Sequence, residues 1–348
     1  MFEDLKGNDE VKKLLKRVVS AGRTPQALIF AGPDGIGKKQ FALKAAKSFV
    51  CVSLTEGLPC GECSACIRSS EFKLPTSGKK EDYLRVYFSS HPDIGMVVPN
   101  KNSIYIDAIR DLAAEANFRP YEGRARVFVI DEAEKLGLNQ KHAANALLKT
   151  LEEPASTTYI FLITSKPSSL LQTIHSRCQM LRFSPVSSGE IVKHLLASQE
   201  LSTLDAELAA KAAKGSIGRA LRIDAEDYRN RRARLLEALR GLASRKGIPD
   251  ALRVSNEIST QKGPDDFRES IELIESVVRD LLLLQRGSGE NLSHPDLINE
   301  LSELASVVGR DGPPLWIDEI EDLKSNLRFN LNKKIAADGI FVKIAAAY

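Results

Sequence analysis

The octapeptide GPDGIGKK (32–39) constrains this chain more than any other feature. It follows the apolar run ALIF and opens the helical pattern KKQFALKAAKSFV (38–50). A glycine-rich turn between a strand and a helix points backbone N–H groups at phosphates, and the helix N-terminus adds positive potential there. The spacing fits G-x-x-x-x-G-K-[ST] at every position but the last, with Gly32, Gly37 and Lys38 in place and Gly35 inside the turn. Lys38 is expected to reach the outer phosphates of a nucleotide. The eighth position should supply a hydroxyl that ligates magnesium. It is Lys39, and an ammonium cannot ligate a cation. Either Lys39 points away or the magnesium site is poor. The competing reading is a glycine turn that binds no nucleotide.

The surrounding pattern agrees with an open α/β sheet. ALIFAG (27–32), RVFVID (126–131) and TTYIFLITS (157–165) are short apolar runs without polar alternation. Unbroken strands separated by helices predict a parallel sheet covered on both faces. The stretch 139–154 predicts a helix with Ala143, Leu147 and Leu151 on one face, stopped by Pro154. VFVIDEAEK (127–135) delivers Asp131 and Glu132 at a strand's C-terminal end, where such sheets bind ligands. In an ATPase the aspartate would hold the magnesium shell and the glutamate would orient water; the bland alternative is an acidic helix start. Thr164 is a polar residue at another strand end. LPTSGKKED (74–82) reads as a flexible loop. After residue 190 strand signals disappear and the pattern is helical to the end, with KGSIG (214–218) as a turn among short helices.

Four of the five cysteines, Cys51, Cys60, Cys63 and Cys66, form C-x8-C-x2-C-x2-C. Such clustering reads as metal ligation, and four thiolates close a tetrahedral structural zinc shell. An iron–sulfur run would carry a further Cys three residues on, followed by Pro, and residues 67–72 contain none. His91 is the other nearby candidate ligand, although HPD fits a turn. Cys178 stands apart as a buried thiol. Considered alone, Arg177 in SRC is a surface or ion-pairing residue, although an arginine can also serve a neighbour's phosphate in trans.

Bulk properties exclude some classes. There is no run of 18 apolar residues, so no membrane span is expected. The start, MFEDLKGNDE, is acidic and unlike a secretion signal, so the expected location is the cytoplasm. A net charge of +3 neither requires nor excludes nucleic acid. No basic stripe with interleaved aromatics surrounds the cysteines, and RNRRAR (229–234) reads as a solvated helix face.

Taken in order, the glycine loop, the cysteine cluster, DEAEKL, NALLKTLEEP and SRC resemble the clamp-loader family of AAA+ proteins over residues 1 to about 225. The resemblance implies an α/β P-loop (RecA-like AAA+) domain over 1–185 with a zinc module at 51–66. It also implies a helical lid at 186–226 and an all-helical collar at 227–348. The site residues it implies are Gly32, Gly35, Gly37, Lys38, Asp131, Glu132 and Thr164 for nucleotide, with Arg177 as an arginine finger acting in trans. ATP or ADP binding is expected to be weak or absent. Motor subunits of the family (gamma/tau) look like GKT where this chain has GKK. They carry a lid arginine where this chain has Gly218 in GSIGRAL (215–221), with Arg219 one position off. The resemblance therefore implies a stator that helps fire an adjacent motor but hydrolyses little ATP. The alternative is an ATP-hydrolysing gamma/tau-like motor, supported by Asp131 and Glu132. The implied partners are motor and delta wrench subunits in a hetero-pentamer, with the sliding clamp and primer-template DNA reached through the complex. The stretch from Cys66 to His91 is longer than the family pattern.

Overall fold

The apolar runs become the centre of one sheet. The computed structural model describes residues 2, 5–20, 25–56, 58–137, 142–243, 248–260, 266–327 and 332–346. Two compact units divide the chain, Met1–Arg222 and Ile223–Tyr348.

The first unit runs α1 (Asp9–Ser20), β1 (Ala27–Ala31), α2 (Lys38–Val50), α3 (Ser64–Arg68), β2 (Tyr87–Phe88), β3 (Ile94–Val97) and α4 (Ile106–Glu115). It continues with β4 (Arg126–Ile130), α5 (His142–Glu152), β5 (Thr158–Thr164), α6 (Gln172–His175) and β6 (Gln179–Arg182). Three short helices follow: α7 (Ser188–Ser198), α8 (Thr203–Ala212) and α9 (Ile217–Ala220). The strand order is β2-β3-β4-β5-β1-β6. All neighbours are parallel except the edge pair β2 and β3.

Successive residues of a strand face opposite sides of a sheet, and here both sides are apolar. Phe30, Val127, Val129 and Phe161 pack under α2 against Phe41, Ala42 and Ala45. Ile29, Phe128, Ile130 and Leu162 pack on the other face against Ile109, Leu112, Ala144 and Leu147. Each fully buried large side chain contributes about 1.5–3 kcal/mol. The register sets Ala31 opposite Thr164 on one side and Arg182 on the other. The ends of β1 and β5 therefore lie side by side, with β4 one strand beyond.

Three expectations need correction or extension. Strands β2, β3 and β6 were not legible, because they are two to four residues long and β6 exposes Gln179 and Arg182. Residues 74–82 are ordered locally: Lys80–Tyr83 is a 3-10 turn, Ser77 bonds to Asp82, and Tyr83 donates to the Ser77 carbonyl at 2.7 Å. The predicted helix 139–154 is His142–Glu152, and 139–141 lie outside the described residues.

The second unit contains α10 (Ala225–Ala243), α11 (Ile248–Thr260), α12 (Asp266–Gln285), α13 (Ile298–Val307), α14 (Gly312–Asn326) and α15 (Lys333–Ala346), around a core that includes Leu239, Ile274, Leu301, Trp316 and Phe341. RNRRAR is not simply a solvated face. Arg232 is 3% exposed, donates to both carboxylate oxygens of Asp296 at 3.0 and 2.6 Å, and contacts His294 Nδ1 at 3.3 Å. Among the described residues no helix is long and apolar enough to cross a membrane.

Candidate functional site

Gly32 leaves β1 with its N–H donating to the Thr164 carbonyl at 3.2 Å. The turn that follows needs positive φ at Gly35 (73°) and Gly37 (89°), a region costly for any residue with a Cβ. Among the described residues, no backbone N–H from Asp34 to Lys39 donates to another protein group. These groups form an open cradle of donors at the start of the 13-residue helix α2, the arrangement that holds phosphate.

Lys38 is 5% exposed, and its Nζ donates to the carbonyls of Gly32 and Pro33, both at 2.6 Å. Burial lowers its pKa, while Asp34, Glu134 and Asp131 oppose that shift. Lys39 does not point away from the site. Its Nζ lies 2.9 Å from Asp131 Oδ2, across 92 residues of chain. An ammonium therefore bridges the phosphate loop and the strand-end carboxylate, the two elements that jointly hold magnesium in a nucleotide-hydrolysing P-loop. The residues present do not fit that ion. The hydroxyl ligand is missing, and the aspartate is already engaged by a cation.

Glu132 is also diverted. Its backbone is left-handed (φ 47°), and its half-exposed carboxylate pairs with Lys135 at 2.6 Å. The inward position is held by Glu134, which the sequence reading passed over. Glu134 is 7% exposed, its Oε1 accepts from Ser165 Oγ at 2.6 Å, and its Oε2 has no partner. Burial opposes its ionisation, yet hydrogen bonds from Ser165 and Thr164 hold the carboxyl below its ordinary value. Residues 133–136 form a 3-10 turn that begins after the left-handed Glu132, and Glu134 is the acid of that turn that is buried. Thr164 is buried and its Oγ1 accepts from Lys166 N at 3.1 Å.

The helices after β6 close over the loop. The Gly218 N–H donates to the Gly35 carbonyl at 3.0 Å. Ser216, which caps α9 through Arg219 N, sits so close that a Cβ on Gly35 would lie 2.0 Å from its Oγ. Arg177, just past α6, donates to Glu152 Oε1 at 2.5 Å and to the Thr173 carbonyl at 2.8 Å.

The four cysteines converge at the end of α2. Cys51 caps that helix, Cys63 precedes α3 and Cys66 lies within it. All four Sγ atoms lie within 4.8 Å of one another, with Cys51 to Cys60 at 3.6 Å and Cys51 to Cys63 at 3.9 Å. These separations are far beyond a disulfide's ~2.05 Å. They match the ~3.8 Å expected between thiolates arranged tetrahedrally at zinc-like bond lengths. Burial works against the Cys63 thiolate, but N–H groups of Cys66 and Val52 and the neighbouring thiols bring it down to about 6. The cluster could hold a metal ion, and the donor set suits a soft one. His91 is not part of it. His91 is fully buried and accepts from Asp93 N through Nδ1, within the turn that its HPD sequence suggested. Burial pushes the Cys178 thiol up to about 12.

A glycine loop with a buried lysine after β1, acids after β4, a polar strand end between them on β5 and helices folded over the loop define a P-loop protein of the AAA+ class. Residues 7–187 match the family described as DNA polymerase III, delta subunit, and the chain belongs to that family. It is 29% identical over 325 residues to DNA polymerase III subunit delta' of Bacillus subtilis (strain 168), covering 92% of this chain and 91% of that one. It is 32% identical over 220 residues to subunit delta' of Escherichia coli (strain K12), covering 63% and 60%. Subunit tau of Bacillus subtilis (strain 168) is 30% identical over 331 residues, 87% of this chain but 54% of that one. The chain thus spans about half the length of that tau relative.

Proposed function

We propose that this chain is a delta-prime-like stator of the bacterial clamp loader, within the DNA polymerase III holoenzyme. It supports ATP-driven loading of the sliding clamp onto primed DNA and does not itself turn over ATP. The observation that carries this reading is the 2.9 Å ion pair between Lys39 and Asp131. It replaces the contact on which metal-assisted phosphoryl transfer depends. The diversion of Glu132 to Lys135 removes the water-orienting carboxylate as well. The missing side chain at Gly218 deprives the lid of its cation.

Arg177 acts in trans, on the nucleotide of an adjacent gamma/tau motor. Its pair with Glu152 is partly exposed on both sides, at 31% and 48%. Such a pair is worth about 0–1 kcal/mol, so Arg177 is released at little cost when a neighbour's phosphate presents itself. The Cys51, Cys60, Cys63 and Cys66 site holds structural zinc, with no open position for chemistry. Residues 186–226 serve as the lid and 227–348 as the collar through which motor and delta subunits assemble in a pentamer.

Hydrolysis measurements test the reading. The isolated chain is expected to show background ATP turnover, and the reconstituted loader is expected to lose turnover with Arg177→Ala. Robust hydrolysis by the isolated chain, abolished by Lys38→Ala, makes it a motor instead.

A further inference from the structure

We propose that the segment 118–124, together with the exposed apolar residues beside the four-cysteine loop, is a docking surface for a short acidic segment of another protein. The inference goes beyond the stator reading and uses none of the residues on which that reading rests.

Along the chain no string of aromatic and basic residues surrounds the cysteines, but the fold brings one to them. FRPYEGR (118–124) follows α4. Arg124 N donates to the Phe49 carbonyl at 2.9 Å and its guanidinium donates to the Ser48 carbonyl, beside Cys51. Arg68, just past Cys66, donates to both carboxylate oxygens of Glu122 at 3.3 and 2.5 Å. Among the described residues up to 185, the large apolar side chains left exposed are Val52 (75%), Ile67 (53%), Phe118 (53%) and Tyr121 (68%). Val52, Ile67 and Tyr121 each follow or precede one of these contacts closely in sequence, so the fold gathers them into one patch.

The aromatic segment is held ready. The fully buried Asp93 carboxylate accepts from the N–H groups of Tyr121, Glu122 and Gly123 at 2.7, 2.9 and 2.7 Å. The buried Arg126 guanidinium lies 5.3 Å from the Tyr121 ring centre. An aromatic fixed in advance loses little conformational freedom when a partner covers it.

Charge and size select the occupant. Arg119 and Arg124 are exposed and have no carboxylate partner among the described residues, whereas Glu122 is neutralised by Arg68. Glu56 and Glu62 are exposed on the cysteine loop. The partner's carboxylates therefore belong over Arg119 and Arg124. Its aliphatic residues belong over Val52 and Ile67, which offer no ring for a nucleobase to stack on. A large aromatic side chain buries about 150–250 Å² at most. Four partly exposed side chains fall short of the about 800 Å² per partner in a stable folded interface. That size fits a short segment and not a second copy of this chain.

Fluorescence anisotropy with the full-length chain tests this. The probe is a labelled synthetic peptide, Asp-Asp-Leu-Leu-Phe-Leu, with Asn in place of both Asp as the charge control and a short oligo-dT strand as the nucleic-acid control. The acidic peptide is expected to bind wild type, and the Asn version about fivefold or more weakly. Arg119→Ala and Phe118→Ala are each expected to weaken the acidic peptide about fivefold or more, the scale of an interface residue that matters. Both side chains are exposed, so both variants are expected to keep the wild-type melting temperature. The proposal is overturned if the acidic peptide does not bind, if the Asn version binds equally well, or if neither variant weakens it. Oligo-dT binding more tightly than the peptide and competing with it makes the surface a nucleic-acid site and overturns the protein partner. Self-association of the chain that Phe118→Ala abolishes overturns it in favour of a second copy. Turnover is not read here, so each of these outcomes leaves the stator reading to its own test.

Discussion

The backbone N–H of Gly218 donates to the carbonyl of Gly35 across 3.0 Å, so the first turn of α9 is tied straight to the phosphate loop. Neither residue carries a side chain, so the two backbones meet directly.

That contact makes the two glycines unequal in a measurable way. Gly35→Ala places a Cβ at φ 73° and 2.0 Å from Ser216 Oγ, the atom that caps α9. Left-handed strain and a disturbed cap together cost about 2–3 kcal/mol. At Gly218 a Cβ meets the nearest atom, the Gly35 carbonyl oxygen, at 3.4 Å, and φ is not positive, so Gly218→Ala is expected to stay within about 0.5 kcal/mol of wild type. Denaturant unfolding of the two variants checks the contrast. Equal stabilities would mean that α9 does not rest on Gly35.

Arg177→Ala is expected to lower the ATP turnover of the reconstituted loader by about a thousandfold or more per site served, the usual weight of an arginine finger. Assembly, followed by size-exclusion chromatography, is expected to be unaffected. Glu152→Ala frees the same arginine from its 2.5 Å partner. Because that pair is worth about 0–1 kcal/mol, this variant is expected to keep wild-type turnover within about twofold. A loader that hydrolyses normally without Arg177 removes the trans role.

Much of this site was legible because its chemistry is local. The glycine loop, the acids at the end of β4 and the four cysteines each announce themselves within a few residues, and the apolar strands between them fix a parallel sheet. What was hidden depends on partners far away in sequence. The direction of Lys39 is set by Asp131, 92 residues on. The burial of Arg232 is set by Asp296, 64 residues on, so an arginine-rich string that looks solvated contributes one charge to the interior. Glu134 was missed for another reason: the motif drew attention to Asp131 and Glu132, while the burial of Glu134 depends on Ser165, 31 residues on.

Purified chain is expected to carry one zinc ion for each set of Cys51, Cys60, Cys63 and Cys66, as measured by elemental analysis. The sulfurs already stand 3.6 and 3.9 Å apart around Cys51, too close for several thiolates to coexist without a cation. Cys66→Ser is expected to abolish retention of the ion and lower the melting temperature, since Cys66 is fully buried and ties α3 to the end of α2. A metal-free protein with unchanged stability would make the cluster four ordinary thiols. Recovery of iron in place of zinc would correct the ion but keep the site.

The second unit makes an acid-side prediction with a defined sign. Burial of Asp296 opposes its ionisation, but the Arg232 guanidinium outweighs this and holds the carboxyl below its ordinary value. A depressed carboxylate contributes stability that is present above the unfolded pKa of about 4 and is lost as pH falls through the lower folded value. Asp280 works in the opposite direction: burial raises it even though the Ser293 and His294 N–H groups donate to it at 2.9 and 2.8 Å. Wild type alone therefore mixes two trends. The difference between wild type and Asp296→Asn isolates the first. At neutral pH the variant strands a guanidinium that is 3% exposed. The loss is expected to be about 2–3 kcal/mol, below the value for a fully enclosed pair because Asp296 is half exposed. As pH drops below about 4 the difference should shrink, because wild type then loses the same charge. A gap that stays constant down to strong acid would show that Arg232 is held by packing and by His294, not by the Asp296 carboxylate.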